Sequence, residues 1–92
     1  METQRTRFSL GQTLITPGAM EALHQEDVRS AMRRHSQGDW GNCSRDDREA
    51  NDQALVDGGR MFSVYQDKFG TRFWIITEAD RSSTTVLLPS EY

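Results

Sequence analysis

Three short β-type runs between Arg60 and Leu88 constrain this chain more than any other feature, because they can only be satisfied side by side in one sheet. In the first, Met61–Gln66, Phe62 and Val64 point one way and Met61, Ser63 and Tyr65 the other. That is the two-residue period of a strand. Asp67-Lys68-Phe69-Gly70 follows, a short loop with glycine available for a positive φ. The second run, Thr71–Thr77, sets Phe73 and Ile75 on one face and Trp74 and Ile76 on the other. Two apolar faces predict a central strand covered on both sides, with Trp74 buried. The polar stretch Glu78–Ser83 leads into Thr84–Leu88, which Pro89 ends because proline lacks the N–H a ladder needs. Two short connections between neighbouring strands predict an antiparallel meander.

The preceding sequence reads as packing for that sheet. A short strand around Thr13–Thr16 would add to it. Thr16-Pro17 is a helix start, with threonine as N-cap and proline at the first helical position; the helix extends to about Gln25 with Ala19, Met20 and Leu23 inward. Glu26-Asp27 opens a second helix, whose stripe is Val28, Ala31, Met32 and His35 and whose stop is Gly38. Asp39–Asn42 is a tight connector in which Trp40, between two glycines, is expected to plug a joint and to be at least half buried. Ser44 caps a third helix running to about Val56, with Ala50, Ala54 and Leu55 inward, and Gly58-Gly59 ends it. The expectation is a single α+β domain over residues 1–92, with residues 1–7 a mobile arm. Its three- to four-stranded antiparallel sheet (the C-terminal meander with or without the N-terminal strand) is covered on one face by two or three short helices.

With 92 residues and a mean hydropathy of -0.76, the core must be compact. No apolar run approaches the ~20 residues of a membrane helix, and Met1–Arg7 has no apolar segment of the secretory kind. Cys43 is the single cysteine, so no internal disulfide forms and a reducing, cytoplasmic setting is expected. The formal charge of -3 argues against non-specific nucleic-acid binding.

Four groups of residues are candidates for function. His35 and Asp39, within HSQGDWG, could form an acid–base pair; the structural alternative is that His35, Gly38, Asp39, Trp40 and Gly41 close one helix and start the next. His24, His35 and Cys43 with Asp46 or Asp47 could be metal ligands, but they lack the paired short spacings of zinc sites, so neither metal nor cofactor is expected. Glu78, Asp80 and Arg81, with Tyr65 and Trp74 as aromatic neighbours, make a candidate binding edge. The alternative is a solvated turn in which Arg81 pairs with Glu78 or Asp80. Arg29, Arg33 and Arg34, with Arg5 and Arg7, form a modest basic patch without a nucleic-acid reader motif. The chain has no G-x-G-x-x-G, no G-K-[ST] phosphate loop and no G-x-S-x-G.

HSQGDWG, Asn51, Gly59-Arg60 and the tail FWIITEADRSSTTVLLPSEY, together with the T-P-G-A helix start at Thr16–Ala19, carry a resemblance. The chain resembles a family of small bacterial proteins carried on plasmids, integrative elements and prophages, often labelled plasmid-related proteins or type I restriction endonuclease subunit M. An adenine methyltransferase needs a cofactor-binding Rossmann domain and an N-P-P-[YF] motif; here the prolines are Pro17 and Pro89, far apart. The resemblance assigns no catalytic residues. With it, the expected reading is a non-catalytic, protein-binding accessory of a mobile element, with antagonism of host restriction or CRISPR defence as the candidate role. The alternative is a small enzyme at His35/Asp39, or a nucleic-acid-binding regulator using Arg29, Arg33 and Arg34.

Overall fold

The computed structural model describes residues 6–92. The order is β1 (Gln12–Ile15), α1 (Pro17–Ala22), α2 (Gln25–Ser36), α3 (Arg45–Asp57), β2 (Met61–Gln66), β3 (Arg72–Thr77) and β4 (Ser83–Leu87), closed by a 3-10 turn at Pro89–Glu91. The protein is an α+β domain. The four strands form one sheet in the order β1-β4-β3-β2. β2, β3 and β4 make the expected antiparallel meander, but β1 pairs parallel to β4, so the sheet is mixed. Parallel neighbours need a long crossover, and here α1, α2, α3 and the β2–β3 hairpin all lie between β1 and β4 in the chain.

The helices start where local chemistry directs them. Thr16 Oγ1 accepts from the Ala19 N–H, with Pro17 following the cap. Ser44 Oγ accepts from the Asp47 N–H, and Gly58 ends α3 in the left-handed conformation. α1 stops at Ala22, short of the expected Gln25, because Leu23 is already extended. In this brief helix Ala19 is buried and Leu23 follows it into the core, so Met20 is turned out and 56% exposed rather than inward.

α1 and α2 cover one sheet face. Ala19, Leu23, Val28 and Ala31 pack there against Tyr65, Phe73, Ile75 and Val86. The cross-strand register places Phe62, Val64, Trp74, Ile76 and Leu87 on the opposite face. α3 contacts β2 rather than lying over that face. Trp74 is only partly buried, not buried as expected: Phe62 and Tyr92 meet its ring edge-on, while Val64, Ile76 and Leu87 on the same face are buried. Ala50 is likewise exposed, on the α3 side that borders this open face. Trp40 is 3% exposed and stacks on Phe8, as a plug should.

The outer edge of β2 is sealed by the chain itself. Asn51 of α3 accepts from the Phe62 N–H at 3.0 Å and donates to the Phe62 carbonyl at 2.7 Å, imitating a neighbouring strand with one side chain. Two residues on, the Val64 N–H donates to the Trp40 carbonyl and the Val64 carbonyl accepts from the Asn42 N–H. Gly41, at φ 72°, lies in that joint, and any side chain on it would run into the Val64 carbonyl oxygen. Replacing Asn51 with Ala or Leu leaves the Phe62 N–H without its partner and the Phe62 carbonyl with only the weak Cys43 thiol donor. Each variant is expected to lose about 2 kcal/mol in urea unfolding, with the apolar Leu giving no recovery. Equal stability of wild type and Asn51→Leu would show that the edge needs no cap.

Candidate functional site

His35 lies at the centre of the interior, with no exposed surface. It faces inward because it closes the Val28–Ala31–His35 stripe of α2. Its Nδ1 meets Ser63 Oγ, its Nε2 meets Thr77 Oγ1 at 2.8 Å, and Thr77 Oγ1 meets Thr84 Oγ1 at 2.7 Å. Thr84 donates to the Leu10 carbonyl. Since each hydroxyl has one proton, that last bond fixes the next two: Thr84 accepts from Thr77, and Thr77 accepts from His35 Nε2–H. Burial pushes the imidazole pKa down to about 4 and keeps it neutral, so Nδ1 has no proton and Ser63 donates to it. A serine donating to a histidine nitrogen is the geometry of an activated nucleophile, but Ser63 and Thr77 also have no exposed surface and cannot meet a substrate. The aromatic walls are Phe8 and Trp40, both edge-on to the imidazole.

Asp39 is not a partner of His35. Its carboxylate takes a forked pair of bonds from Arg34, at 2.8 and 3.3 Å, and one from the Gly41 N–H. Arg34 and that N–H hold the carboxyl below its ordinary value. The Asp39 carbonyl accepts from the Tyr65 hydroxyl, and the Trp40 indole N–H donates to Asp52. Gly38 follows α2 at φ 84° and donates its N–H to the His35 carbonyl. His35, Gly38, Asp39, Trp40 and Gly41 form a structural joint between α2 and the β2 edge.

The residues of the polar loop separate. Arg81, at φ 62°, turns its guanidinium inward onto the carbonyls of Gly59, Glu78, Ala79 and Ala54, beneath the Phe8 ring. Its guanidinium pairs with neither the Glu78 nor the Asp80 carboxylate, the alternative of a locally paired turn, because backbone carbonyls at the α3–β2 junction satisfy its planar fork of donors. Asp80 accepts from the Ser82 N–H, holding the turn locally. Glu78 reaches Arg60 at 3.7 Å. Tyr65 lies under the helices, on the sheet face opposite Trp74, so the two aromatics belong to different surfaces.

The other candidates are dispersed. Among the described residues, no three His, Cys, Asp or Glu side chains come together as a metal site. Cys43 is buried against the Trp40 and Phe62 carbonyls, and burial raises its thiol. Arg29 pairs with Glu26, Arg34 is held by Asp39 and lies over Tyr65, and Arg33 is exposed. Arg7 donates its backbone N–H to the Ser36 carbonyl. Arg5, and the expected mobile arm up to that residue, lie outside the described residues.

What the fold does assemble is a groove of about 380 Å³ on the open sheet face. Phe62, Trp74 and Ile76 line it from the strands, Asp47, Ala50 and Asn51 from α3, and Arg60 and Tyr92 complete it. Arg60 donates to the Tyr92 hydroxyl at 2.9 Å and lies 5.4 Å from the ring centroid. Glu91 fixes the tail by accepting from the Thr16 hydroxyl and the Gly18 and Leu88 N–H groups. Of the expected binding residues, Trp74 lines this groove and Glu78 borders it through Arg60. Phe62, Ile76 and Tyr92 were missed; the signal for the first two was their position opposite each other once β2 and β3 are aligned. Comparison with known proteins finds no matching family model, no matching curated protein and no matching solved structure.

Two outcomes are expected. Between pH 6.5 and about 4 the unfolded chain protonates the imidazole of His35 while the folded chain does not. Stability should therefore fall as pH falls through that window, by about 3 kcal/mol. Urea midpoints measured across it should show this slope in wild type and a flatter one in His35→Gln. For the loop, Arg81→Ala should cost about 1–2 kcal/mol, because the Gly59 carbonyl loses its partner while the Ala54 and Glu78 carbonyls keep their backbone donors, and Arg81→Lys should recover little of it. Glu78→Ala should stay within about 0.5 kcal/mol of wild type. Thermal melts of the three variants check the ranking.

Proposed function

We propose that this protein is a non-catalytic binding module whose contact surface is the Trp74 face of the sheet, and that it serves a mobile genetic element by occupying a host-defence protein. The observation that carries the first part is the groove itself. Aromatic side chains lie open beside one another there: Trp74 and Phe62 partly exposed, Tyr92 69% exposed. Aromatic clusters rimmed by polar groups are the usual anchors of protein contacts. The polar groups that could have done chemistry support the same reading, because His35, Asp39 and Arg81 are each engaged within the fold.

Charge gives the partner its character. α3, which walls the groove, carries Asp46, Asp47, Glu49, Asp52 and Asp57 against Arg45 and Arg48. An acidic helix beside an aromatic groove complements a surface that is basic and presents an apolar side chain. Nucleic-acid-binding channels of restriction and CRISPR effectors have that basic character, which agrees with the mobile-element resemblance of the sequence.

The test is phage plating on restricting and CRISPR-carrying hosts, with and without the protein expressed. Wild type is expected to raise plating at least about tenfold on one of them, and Trp74→Glu, checked for a native fold, to abolish the gain. No gain on any host would reject antagonism of these defences. A gain that survives Trp74→Glu would place the contact surface elsewhere.

A further inference from the structure

The two edges of the sheet are treated differently. β2 is sealed by Asn51 and the Trp40–Asn42 connector, as described above. β1 forms the other edge. Its ladder to β4 uses the even-numbered positions: the Gln12 N–H donates to Ser82 and the Thr16 N–H to Val86. By strand alternation, the N–H and C=O groups of Thr13 and Ile15 point away from the sheet. Gln12, Thr13, Leu14, Ile15 and Thr16 are all uncharged, so the edge lacks the charged side chains that commonly prevent strands from pairing. Beside it lies a second, smaller groove of about 150 Å³, bordered by Thr13, Leu14 and Ile15 and by Gln25, Val28 and Met32 of α2. Leu14 and Ile15 belong to opposite sheet faces yet both border it, so this groove opens on the edge itself. Leu14 is 43% exposed.

We propose that β1 pairs antiparallel with β1 of a second copy of this chain, forming a twofold dimer with one continuous eight-stranded sheet. The occupant is a second copy because the edge is complementary to itself. With Leu14 opposite Leu14 of the second copy, Thr13 faces Ile15 and Ile15 faces Thr13. In that register every outward N–H and C=O of both residues meets its counterpart at once. An uncharged edge meets its own copy without like-charge repulsion, although the chain as a whole carries -3. The two Leu14 side chains become a close cross-strand pair on the open face, while Val28 and Met32 of α2 border the groove at the joint. The twofold axis of such a pair is perpendicular to the sheet. Both helical layers therefore share one side, and both Trp74 grooves share the other, giving a two-site binding surface. The contact is small, so the dimer is expected to be concentration-dependent. This pairing involves the edge alone and stands or falls independently of what the Trp74 groove binds.

Sedimentation velocity of the full chain from micromolar to submillimolar concentration tests it. Wild type is expected to shift from its 10.5 kDa mass to twice that. Thr13→Pro removes an N–H that points outward and should leave the monomer intact; Leu14→Lys places two like charges against each other. Both are expected to remain monomeric at every concentration while melting like wild type at low concentration. Hydrogen exchange at the Thr13 and Ile15 amides should slow as wild type is concentrated. A wild type that stays monomeric throughout overturns the proposal, whether the edge is left to a different protein or to the chain's own first residues. A dimer that persists in Leu14→Lys and in Thr13→Pro also overturns it, because the interface would then lie elsewhere.

Discussion

The hydrogen-bonded chain through His35 ties this fold together. One imidazole joins α2 to β2 through Ser63 and to β3 through Thr77, and the relay continues through Thr84 of β4 to the Leu10 carbonyl just ahead of β1. A domain of 92 residues has little apolar surface to bury, so a polar network at its centre must be complete or it becomes a liability. Here it is complete: among the described residues, no buried side-chain nitrogen or oxygen lacks a partner. The network also explains why Thr77 and Thr84, polar residues opposite each other on neighbouring strands, are fully buried on the helix side.

Around that centre, side chains do work that backbone does in larger sheets. Asn51 stands in for a fifth strand along β2, and Arg81 gathers the carbonyls at the end of α3 and the start of β2. A positively charged fork near the last carbonyls of a helix also suits the helix dipole. These substitutions let three helices and four strands close within a short chain. They also use up the residues that looked chemically interesting; among the described residues, the aromatic groove on one face and the edge at β1 are two surfaces that remain.

Those two surfaces differ in kind. The groove offers apolar area with one carboxylate, Asp47, and one guanidinium, Arg60, at its border, suited to side chains of a partner. The edge offers backbone groups in a fixed register, suited to another strand. Their shared orientation follows from the pleat: Leu14 and Trp74 lie on the same sheet face, so anything that extends the sheet at β1 extends the open face as well.

The sequence by itself determined the meander, the alternation of its side chains and the starts of α1 and α3. Each of these is set by local chemistry: a two-residue period, a capping hydroxyl before a proline or an acidic turn, a glycine at a stop. The α1–α2 boundary was not, since α2 begins at Gln25 behind His24, which makes no side-chain cap. It also made Trp40 a buried plug, since a tryptophan between two glycines has little else to do. Tertiary structure alone decided the rest. The parallel placement of β1 depends on where the chain returns after three helices, which no local pattern encodes. Trp74 was left partly open, and α3 went to the edge of β2 to deliver Asn51, a position set by two hydrogen bonds to Phe62. Arg81 turned inward because carbonyls from Ala54 and Gly59, far away in sequence, converge beside it. His35 and Asp39, four residues apart, were sent to different partners because α2 ends between them: His35 is on its last inward-facing turn, and Asp39 is already in the joint that follows.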